Sequence, residues 1–268
     1  MTAWTVPVGA FARTCDRVGK AILAVSEISG YGLVLLARAA GWLGEIRKRR
    51  KLIVAQMYVS GVASLGVCLV VATFTGMILS VQAGRELARF QQQAVVGSLV
   101  SVTMAREMGP FMTAIILAAC VGSAIAAEIG TMRVSEEIDA LEVMSIDPAS
   151  FLVMPRLVAL TLVCPALTVL TNIVAVCGGA VVSRSLLGVS YYTYFDKAVD
   201  ILELKDLYSG LAKATVFGLT VATIGCTQGM LARGGARGVG EATRNAVVHS
   251  LLMILILGYF MTRMFYDV

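Results

Sequence analysis

Residues 104–148 read MAREMGPFMTAIILAACVGSAIAAEIGTMRVSEEIDALEVMSIDP, and the character of the chain changes sharply within this segment. Its part 107–130 is apolar and long enough to cross a bilayer, which takes about 20 helical residues. The part from 128 to 148 carries six carboxylates and one arginine. This boundary predicts a membrane-spanning helix that is followed directly by a segment in water.

The composition of the whole chain favours a membrane protein. Of its 268 residues, 58% are hydrophobic and 15% are charged, and the mean hydropathy is +0.83. Soluble domains contain about half apolar and about a quarter charged residues. A water-soluble fold of this length would need more charged side chains to cover its surface, so we expect an integral membrane protein.

Five apolar segments are long enough to span a bilayer as helices. We predict spans at 53–80, 107–130, 157–183, 210–231 and 246–264. None of them shows the period-two alternation of membrane β-strands. A further stretch, 21–43, contains Glu27 and Arg38, and we predict a helix in the membrane interface there rather than a sixth span. The predicted fold is therefore all-α, with five transmembrane helices and an N-terminal interfacial helix.

The positive charges in the loops predict the orientation. Cytoplasmic loops carry the excess of lysine and arginine in membrane proteins. If the first 51 residues are cytoplasmic, that side holds fourteen Lys and Arg residues and the opposite side holds six. We therefore predict a cytoplasmic N-terminus and an outer C-terminus. Since the basic residues lie beside apolar spans, orientation explains them better than binding to nucleic acid does.

The polar segment after the second span has the pattern of a short amphipathic helix. Val134, Ile138 and Leu141 recur at helical spacing and form one apolar stripe. Ser135 can cap the start of the helix, and acidic residues follow in the first turn, where the helix dipole favours them. Two interpretations remain open for this cytoplasmic helix: an ordinary solvated loop helix, or a docking helix for a soluble partner.

Ionisable side chains at the ends of two spans form a second candidate site. Arg106 and Glu107 precede the apolar part of the second span, and Lys213 lies three residues into the fourth. In the predicted topology they share the outer level of the membrane with Gln82. Two cations and one anion around a polar amide can receive an anionic head group while apolar walls take the tails. The alternative is a structural ion pair with snorkelling side chains.

The sequence offers little for catalysis in this chain. Its single histidine, His249, leaves no basis for a catalytic triad or a histidine-based metal site. No nucleotide-binding motif is present, so active transport would take its energy from a partner or from an ion gradient. We expect no catalytic residues, no metal site and no cofactor in this chain.

Three parts of the sequence carry a family resemblance. Residues 104–148 resemble the signature region of the MlaE/YrbE permeases. The segment at 225–250, GCTQGMLARGGARGVGEATRNAVVHS, resembles the region around the last two spans of that family. FTGMILSVQ, at 74–82, resembles part of its first span. The resemblance covers most of residues 45–265.

The resemblance implies the membrane subunit of an ABC-type lipid transporter in the bacterial inner membrane. In this family two permease copies pair, two cytoplasmic ATPase subunits bind ATP and Mg²⁺, and an MCE-domain protein lies on the periplasmic side, where the C-terminus would also lie. Phospholipid moves between the inner membrane and the MCE protein, for outer-membrane lipid homeostasis. This chain is then not itself an enzyme; it comprises an interfacial N-terminal segment, 1–51, and a permease domain, 52–268.

The resemblance also implies which residues form the sites. The polar helix matches the coupling helix of the family, which fits into a groove of the ATPase. The residues implied in coupling are Arg133, Val134, Glu136, Glu137, Ile138, Leu141 and Glu142.

The lipid cavity is implied at the outer end of the spans. Arg106 and Glu107 match the Arg-Glu pair before Gly-Pro in the family, and Lys213 matches a lysine near the cavity. Gly258 stands where some members carry an acidic residue, which bears on head-group preference. The implied contacts with the lipid tails are Val71, Phe74, Met77, Ile78 and Val81.

Two other classes of protein compete with this interpretation. An ion-coupled secondary transporter would need acidic groups at mid-membrane and usually inverted repeats, and five spans do not divide into equal halves. The other class is a membrane scaffold that transports nothing.

Overall fold

The structure is a computed structural model that describes residue 26 and residues 28–266. Every regular element within these residues is a helix. The helices are α1 (Ile28–Gly41), α2 (Ile46–Arg89), α3 (Gln93–Val134), α4 (Glu137–Val143), α5 (Ala149–Leu186), α6 (Tyr191–Asp200), α7 (Leu204–Met230) and α8 (Gly235–Tyr266). Single π-helical turns lie within α3 at Met104–Met108 and Ala118–Gly122, and another begins α5 at Ala149–Val153.

The prediction of five spans is confirmed. The helices α2, α3, α5, α7 and α8 are each long and apolar enough to cross a membrane. Each helix is longer than its predicted span, because backbone hydrogen bonding continues beyond the apolar residues into polar flanks. The difference is largest in α3, where Arg106 and Glu107 lie well inside the helix rather than at its start.

The predicted interfacial helix at 21–43 corresponds to α1, although residues 21–25 and 27 lie outside the described part of the chain. Leu35 and Ala39 of α1 are buried in the main hydrophobic core. Gly32 lies against Thr227 of α7, so close that an added Cβ would be 3.1 Å from the Thr227 hydroxyl oxygen. α1 is therefore packed onto the helical body.

The longest helix, α2, packs against α5 through small side chains. Small residues at every fourth position let two helix backbones approach closely. The hydroxyl of Ser80 donates a hydrogen bond to the carbonyl of Gly179, 3.0 Å away, and lies 2.7 Å from the hydroxyl of Ser183. The buried small residues of α2 are Ser60, Ser64, Cys68, Ala72, Gly76, Ser80 and Gly84.

The other faces of α2 and α8 present apolar side chains at the surface. On α2 these include Val62, Phe74 and Ile78, and on α8 they include Leu252 and Phe260. A protein surface of this kind suits a hydrocarbon environment rather than water. The packing thus agrees with helices that cross a membrane.

The short helix α6, which the sequence analysis did not predict, is fixed to the start of α3. Tyr194 and Ala198 of α6 are buried. Ser98 and Ser101 of α3 donate hydrogen bonds to the carbonyls of Lys197 and Ala198, at 2.6 and 2.8 Å. We call the end of the bundle that carries α6 the α6 end, and the opposite end, with α4, the α4 end.

Candidate functional site

The side chain of Lys213 is buried within the helical bundle near the α6 end. Only 1% of it is exposed, and its ammonium group has three acceptors. Glu107 Oε1 lies 2.5 Å away, Thr262 Oγ1 3.0 Å and the carbonyl oxygen of Arg106 3.1 Å. An ammonium group has three donors, so all of them are satisfied. Lys213 therefore joins α7 to α3 and α8.

The contact with the Arg106 carbonyl follows from a proline one turn further along α3. Pro110 has no backbone N–H and cannot make the helical hydrogen bond to the carbonyl four residues earlier, which is that of Arg106. The π-helical turn Met104–Met108 lies at the same place. Lys213, which is buried inside the bundle, supplies the missing donor.

A second ion pair joins Arg106 to Asp206 of α7. Arg106 Nε donates to Asp206 Oδ1 at 2.6 Å, and the Asp206 side chain is fully buried. Asp206 also accepts a hydrogen bond from the Tyr266 hydroxyl at 3.0 Å and one from the backbone N–H of Glu203 at 3.3 Å. The Tyr266 ring lies 4.8 Å from Arg106 Cζ, within the range of a cation–π interaction.

Each ion pair combines one buried and one partly exposed side chain. Lys213 and Asp206 are buried, whereas the side chain of Arg106 is 36% exposed and that of Glu107 is 41% exposed. The ring of Tyr266 is close to the cations of both pairs, since its centre lies 4.8 Å from Arg106 Cζ and 5.9 Å from Lys213 Nζ. The structure thus brings together three of the predicted head-group residues and forms the structural ion pair that the alternative interpretation expected.

The fourth predicted residue, Gln82, lies in a separate groove at the α6 end. This groove between α2 and the first part of α3 encloses about 360 Å³ and is mainly apolar. Its lining residues are Leu79, Gln82, Ala83, Glu86, Leu87, Phe90, Leu99, Val100 and Thr103. Thr103 lies one turn before Arg106, so the groove and the charged cluster are neighbours along α3.

The predicted tail contacts lie on α2 just before this groove, and none of them lines it. Phe74 and Ile78 are exposed on the outer surface of α2. Val71, Met77 and Val81 are partly buried. The face of α2 that lines the groove starts at Leu79, near the end of the segment that the resemblance implied, and continues past that segment to Phe90.

The predicted amphipathic helix is present as α4, and two of the three residues of its apolar stripe pack on the protein, whereas Val134 ends α3 and is exposed. Ile138 is fully buried, and Leu141 is partly buried against the same core. The outermost apolar residues of this segment are Val143, which is 86% exposed, and Met144. Ile138 therefore anchors α4 and is enclosed by its own core, whereas Leu141 supports this packing and stays partly accessible.

The start of α4 also differs from the prediction. The helix begins at Glu137, after Glu136 in the left-handed backbone region (φ 61°), and no side chain caps it. Ser135 instead donates to the carbonyl of Thr131 in the preceding helix, at 2.9 Å. The remaining predicted coupling residues, among them Glu136, Glu137 and Glu142, are exposed, while Arg133 is half-buried and forms an ion pair with Asp139.

The segment after α4 is tied to the N-terminal part of the chain. Trp42 Nε1 donates to Asp147 Oδ2 at 2.9 Å, and Asp147 Oδ1 accepts from the backbone N–H of Ala149 at 2.9 Å. The guanidinium of Arg49 lies 5.6 Å from the ring of Phe151. These contacts fix the loop between α4 and α5, and the first turn of α5, to the residues just before α2 and to its first turn.

Sequence reasoning missed Asp206, Thr262 and Tyr266, which complete the charged cluster. Asp206 lies seven residues before Lys213, so both occupy one face of α7. That spacing could have indicated that Asp206 lies near Lys213. The predicted span began only at residue 210, however, so Asp206 was left outside it. Thr262 and Tyr266 belong to α8, and no pattern in the sequence indicates which helix packs there.

Comparisons with known proteins agree with this architecture. The family model described as Permease MlaE matches residues 53–264. A Synechocystis protein named a probable ABC transporter permease is 40% identical over 219 residues, or 82% of each chain. A Rickettsia prowazekii protein of the same designation is 39% identical over 81% of this chain and 84% of its own. The Arabidopsis thaliana chloroplastic protein TRIGALACTOSYLDIACYLGLYCEROL 1 is 38% identical over 84% of this chain and 63% of its own.

Proposed function

This chain belongs to the MlaE permease family, and from that premise we propose that it moves phospholipid between a bacterial inner membrane and a periplasmic MCE-domain protein. It is a multi-pass membrane permease with five spans. The process it serves would be outer-membrane lipid homeostasis.

The lipid substrate is supported by the name of one relative and by the shape of the α6 end. The Arabidopsis relative is named after a diacylglycerol lipid. In this chain an apolar groove of about 360 Å³ lies one helical turn from the partly exposed charges of Arg106 and Glu107. An apolar wall beside charged groups suits an amphiphile, whose tails and head group need opposite surroundings. This juxtaposition is the observation that carries the proposal.

The energy source would be a cytoplasmic ABC ATPase that binds ATP and Mg²⁺. Relatives named as ABC transporter permeases favour this source over an ion gradient, and favour transport over a passive scaffold. The chain would act as a homodimer with the α4 end in the cytoplasm, as the loop charges predict. The exposed surface of α4 would contact the ATPase, and no covalent step would occur in the permease.

A reconstituted system tests this function. The chain would be purified together with an ABC ATPase and an MCE protein from the same organism and placed in liposomes that contain a labelled phospholipid. We expect ATP-dependent movement of label between the liposomes and the MCE protein, measured in both directions. ATP hydrolysis without any movement of phospholipid would reject the proposal.

A matched pair of variants tests the role of the groove. Leu99 lines it and is half exposed, and Leu252 has similar exposure on α8, outside the groove. Leu99→Trp should fill part of the groove and slow lipid movement several-fold, whereas Leu252→Trp should not. Equal rates in the two variants would place the lipid path elsewhere.

A further inference from the structure

We propose that the charged cluster at the α6 end selects zwitterionic phospholipid head groups over anionic ones. The inference rests on the proposed function and adds a substrate class to it. It follows from the signs of the charges that reach the surface, rather than from the presence of basic residues.

The cluster is charge-balanced in its immediate surroundings. Arg106 is paired with Asp206, and Lys213 is paired with Glu107. Lys205 lies 5.3 Å from the Tyr266 ring, and Glu203, two residues earlier on the chain, forms the capping box of α7 with Asp206. Among these six residues, three are cations and three are anions. A site for anionic lipid alone would present an excess of positive charge.

Burial decides which of these charges a head group meets. Lys213 is enclosed, and its three donors are already used within the protein. Asp206 is enclosed as well and accepts three hydrogen bonds. Arg106 and Glu107 remain partly exposed, one positive and one negative group on neighbouring residues.

The exposed part of Arg106 suits a phosphate. Its Nε atom is bound to Asp206, while the two Nη atoms make no hydrogen bond within the part of the chain that the structure describes. Those N–H groups can bind phosphate oxygens as a fork. The carboxylate of Glu107 has one oxygen on Lys213 and Thr262, and its other oxygen can accept from an ammonium group.

A zwitterionic head group therefore matches both exposed groups. Its phosphate would contact Arg106, and its ammonium would contact Glu107. An anionic head group such as phosphatidylglycerol would make the same phosphate contact with Arg106, but it would offer Glu107 a neutral glycerol hydroxyl in place of an ammonium group. Gaining or losing one charge-assisted contact changes the binding constant by about threefold to tenfold.

Two double variants each remove one of the two exposed charges without changing the net charge. Glu107→Gln/Lys213→Gln removes the exposed anion together with its buried partner, and leaves Arg106 exposed. Arg106→Gln/Asp206→Asn removes the exposed cation together with its buried partner, and leaves Glu107 exposed. Each change retains polar side chains that can hydrogen-bond, so that no buried charge is left unpaired.

The measurement is native mass spectrometry of the chain purified in its complex from nanodiscs. The nanodiscs would contain equimolar phosphatidylethanolamine and phosphatidylglycerol with identical tails. We expect the wild type to retain phosphatidylethanolamine about threefold or more over phosphatidylglycerol. Glu107→Gln/Lys213→Gln should lower this ratio below one, and Arg106→Gln/Asp206→Asn should keep it above one with less lipid bound in total.

The outcomes separate this inference from the proposed function. A wild-type ratio at or below one overturns the inference, and this measurement does not depend on the folding of any variant. The same ratio in all three proteins overturns it too. If the reconstituted complex still moves phospholipid in either case, the proposed function stands. If no phospholipid of any head group moves, the proposed function itself fails.

Discussion

The ammonium group of Lys213 lies 3.1 Å from the carbonyl oxygen of Arg106, the helical carbonyl that Pro110 leaves without a donor. The lysine thus replaces a backbone N–H inside the bundle and at the same time neutralises Glu107. Its first role is structural, and it positions the Arg106–Glu107 turn, whose side chains reach the surface.

Replacing Lys213 should therefore destabilise the protein. Lys213→Met leaves the Arg106 carbonyl and the Glu107 carboxylate without their donor, at a cost of about 2 kcal/mol. Thermal unfolding in detergent micelles would show a lower midpoint. Arg89→Met is the control, because Arg89 and Glu86 form a pair exposed at the surface and worth about 0.5 kcal/mol. Equal shifts in the two variants would contradict the structural role.

The hydroxyl and the ring of Tyr266 should each contribute to the stability of the protein. Tyr266→Phe removes the hydrogen bond to Asp206 but keeps the ring beside Arg106, and should cost about 1 kcal/mol. Tyr266→Ala removes both and should cost more, and it should also slow lipid transfer because Arg106 loses its support. The exposed Tyr259 provides the control variant Tyr259→Phe, which should leave both measurements unchanged. If the Tyr266→Ala protein had wild-type stability and wild-type lipid transfer, Tyr266 would not be part of the site.

The outer face of α4 should be the part that contacts the ATPase. Val143→Asp should weaken co-purification of the ATPase and lower permease-dependent ATP hydrolysis without lowering the unfolding temperature. Leu204→Asp is a matched control at the α6 end, since Leu204 is 85% exposed and Val143 is 86% exposed. Loss of the ATPase in both variants, or in neither, would contradict docking at α4. Ile138→Asp is unsuitable for this purpose, because it places a charge in the core.

Two glycines of α2 should respond oppositely to the same substitution. A Cβ on Gly76 would collide with the backbone of Ala175 in α5, whereas a Cβ on Gly66 would meet nothing within 4 Å. Gly76→Ala should cost about 1–3 kcal/mol through overpacking. Gly66→Ala should be neutral or stabilise by up to about 1 kcal/mol, since alanine favours the helix. The unfolding midpoints of the two variants test this, and destabilisation by Gly66→Ala would contradict the packing of α2 on α5.

The sequence was sufficient to predict the five spans, because a run of about twenty consecutive apolar residues is typical of a transmembrane helix. It was also sufficient to single out Arg106, Glu107 and Lys213, since ionisable groups inside apolar helices are rare. It could not predict that Lys213 and Asp206 are buried while Arg106 and Glu107 are partly exposed. That difference depends on how α3, α7 and α8 pack, which hydropathy does not encode.

The orientation of α4 depends on packing in the same way. Val134, Ile138 and Leu141 form a stripe at helical spacing, but periodicity shows only that one face is apolar. It does not show whether that face meets the rest of the chain or another molecule. In the structure Ile138 is buried, which shows that its side of α4 contacts the rest of the chain. Val143 and Met144, which lie beyond the stripe, gave no periodic signal.

The pairing of each buried charge with an opposite one also has an electrical consequence. Moving one elementary charge through a membrane potential changes the free energy by about 2.3 kcal/mol per 100 mV. If Arg106 moves with Asp206 and Lys213 moves with Glu107, neither displacement carries net charge. The permease should then transfer lipid at the same rate in vesicles held at different potassium diffusion potentials. A rate that depends on the potential would show that the paired charges separate. A permease built in this way can work at the same speed in an energised cell and in a depolarised one.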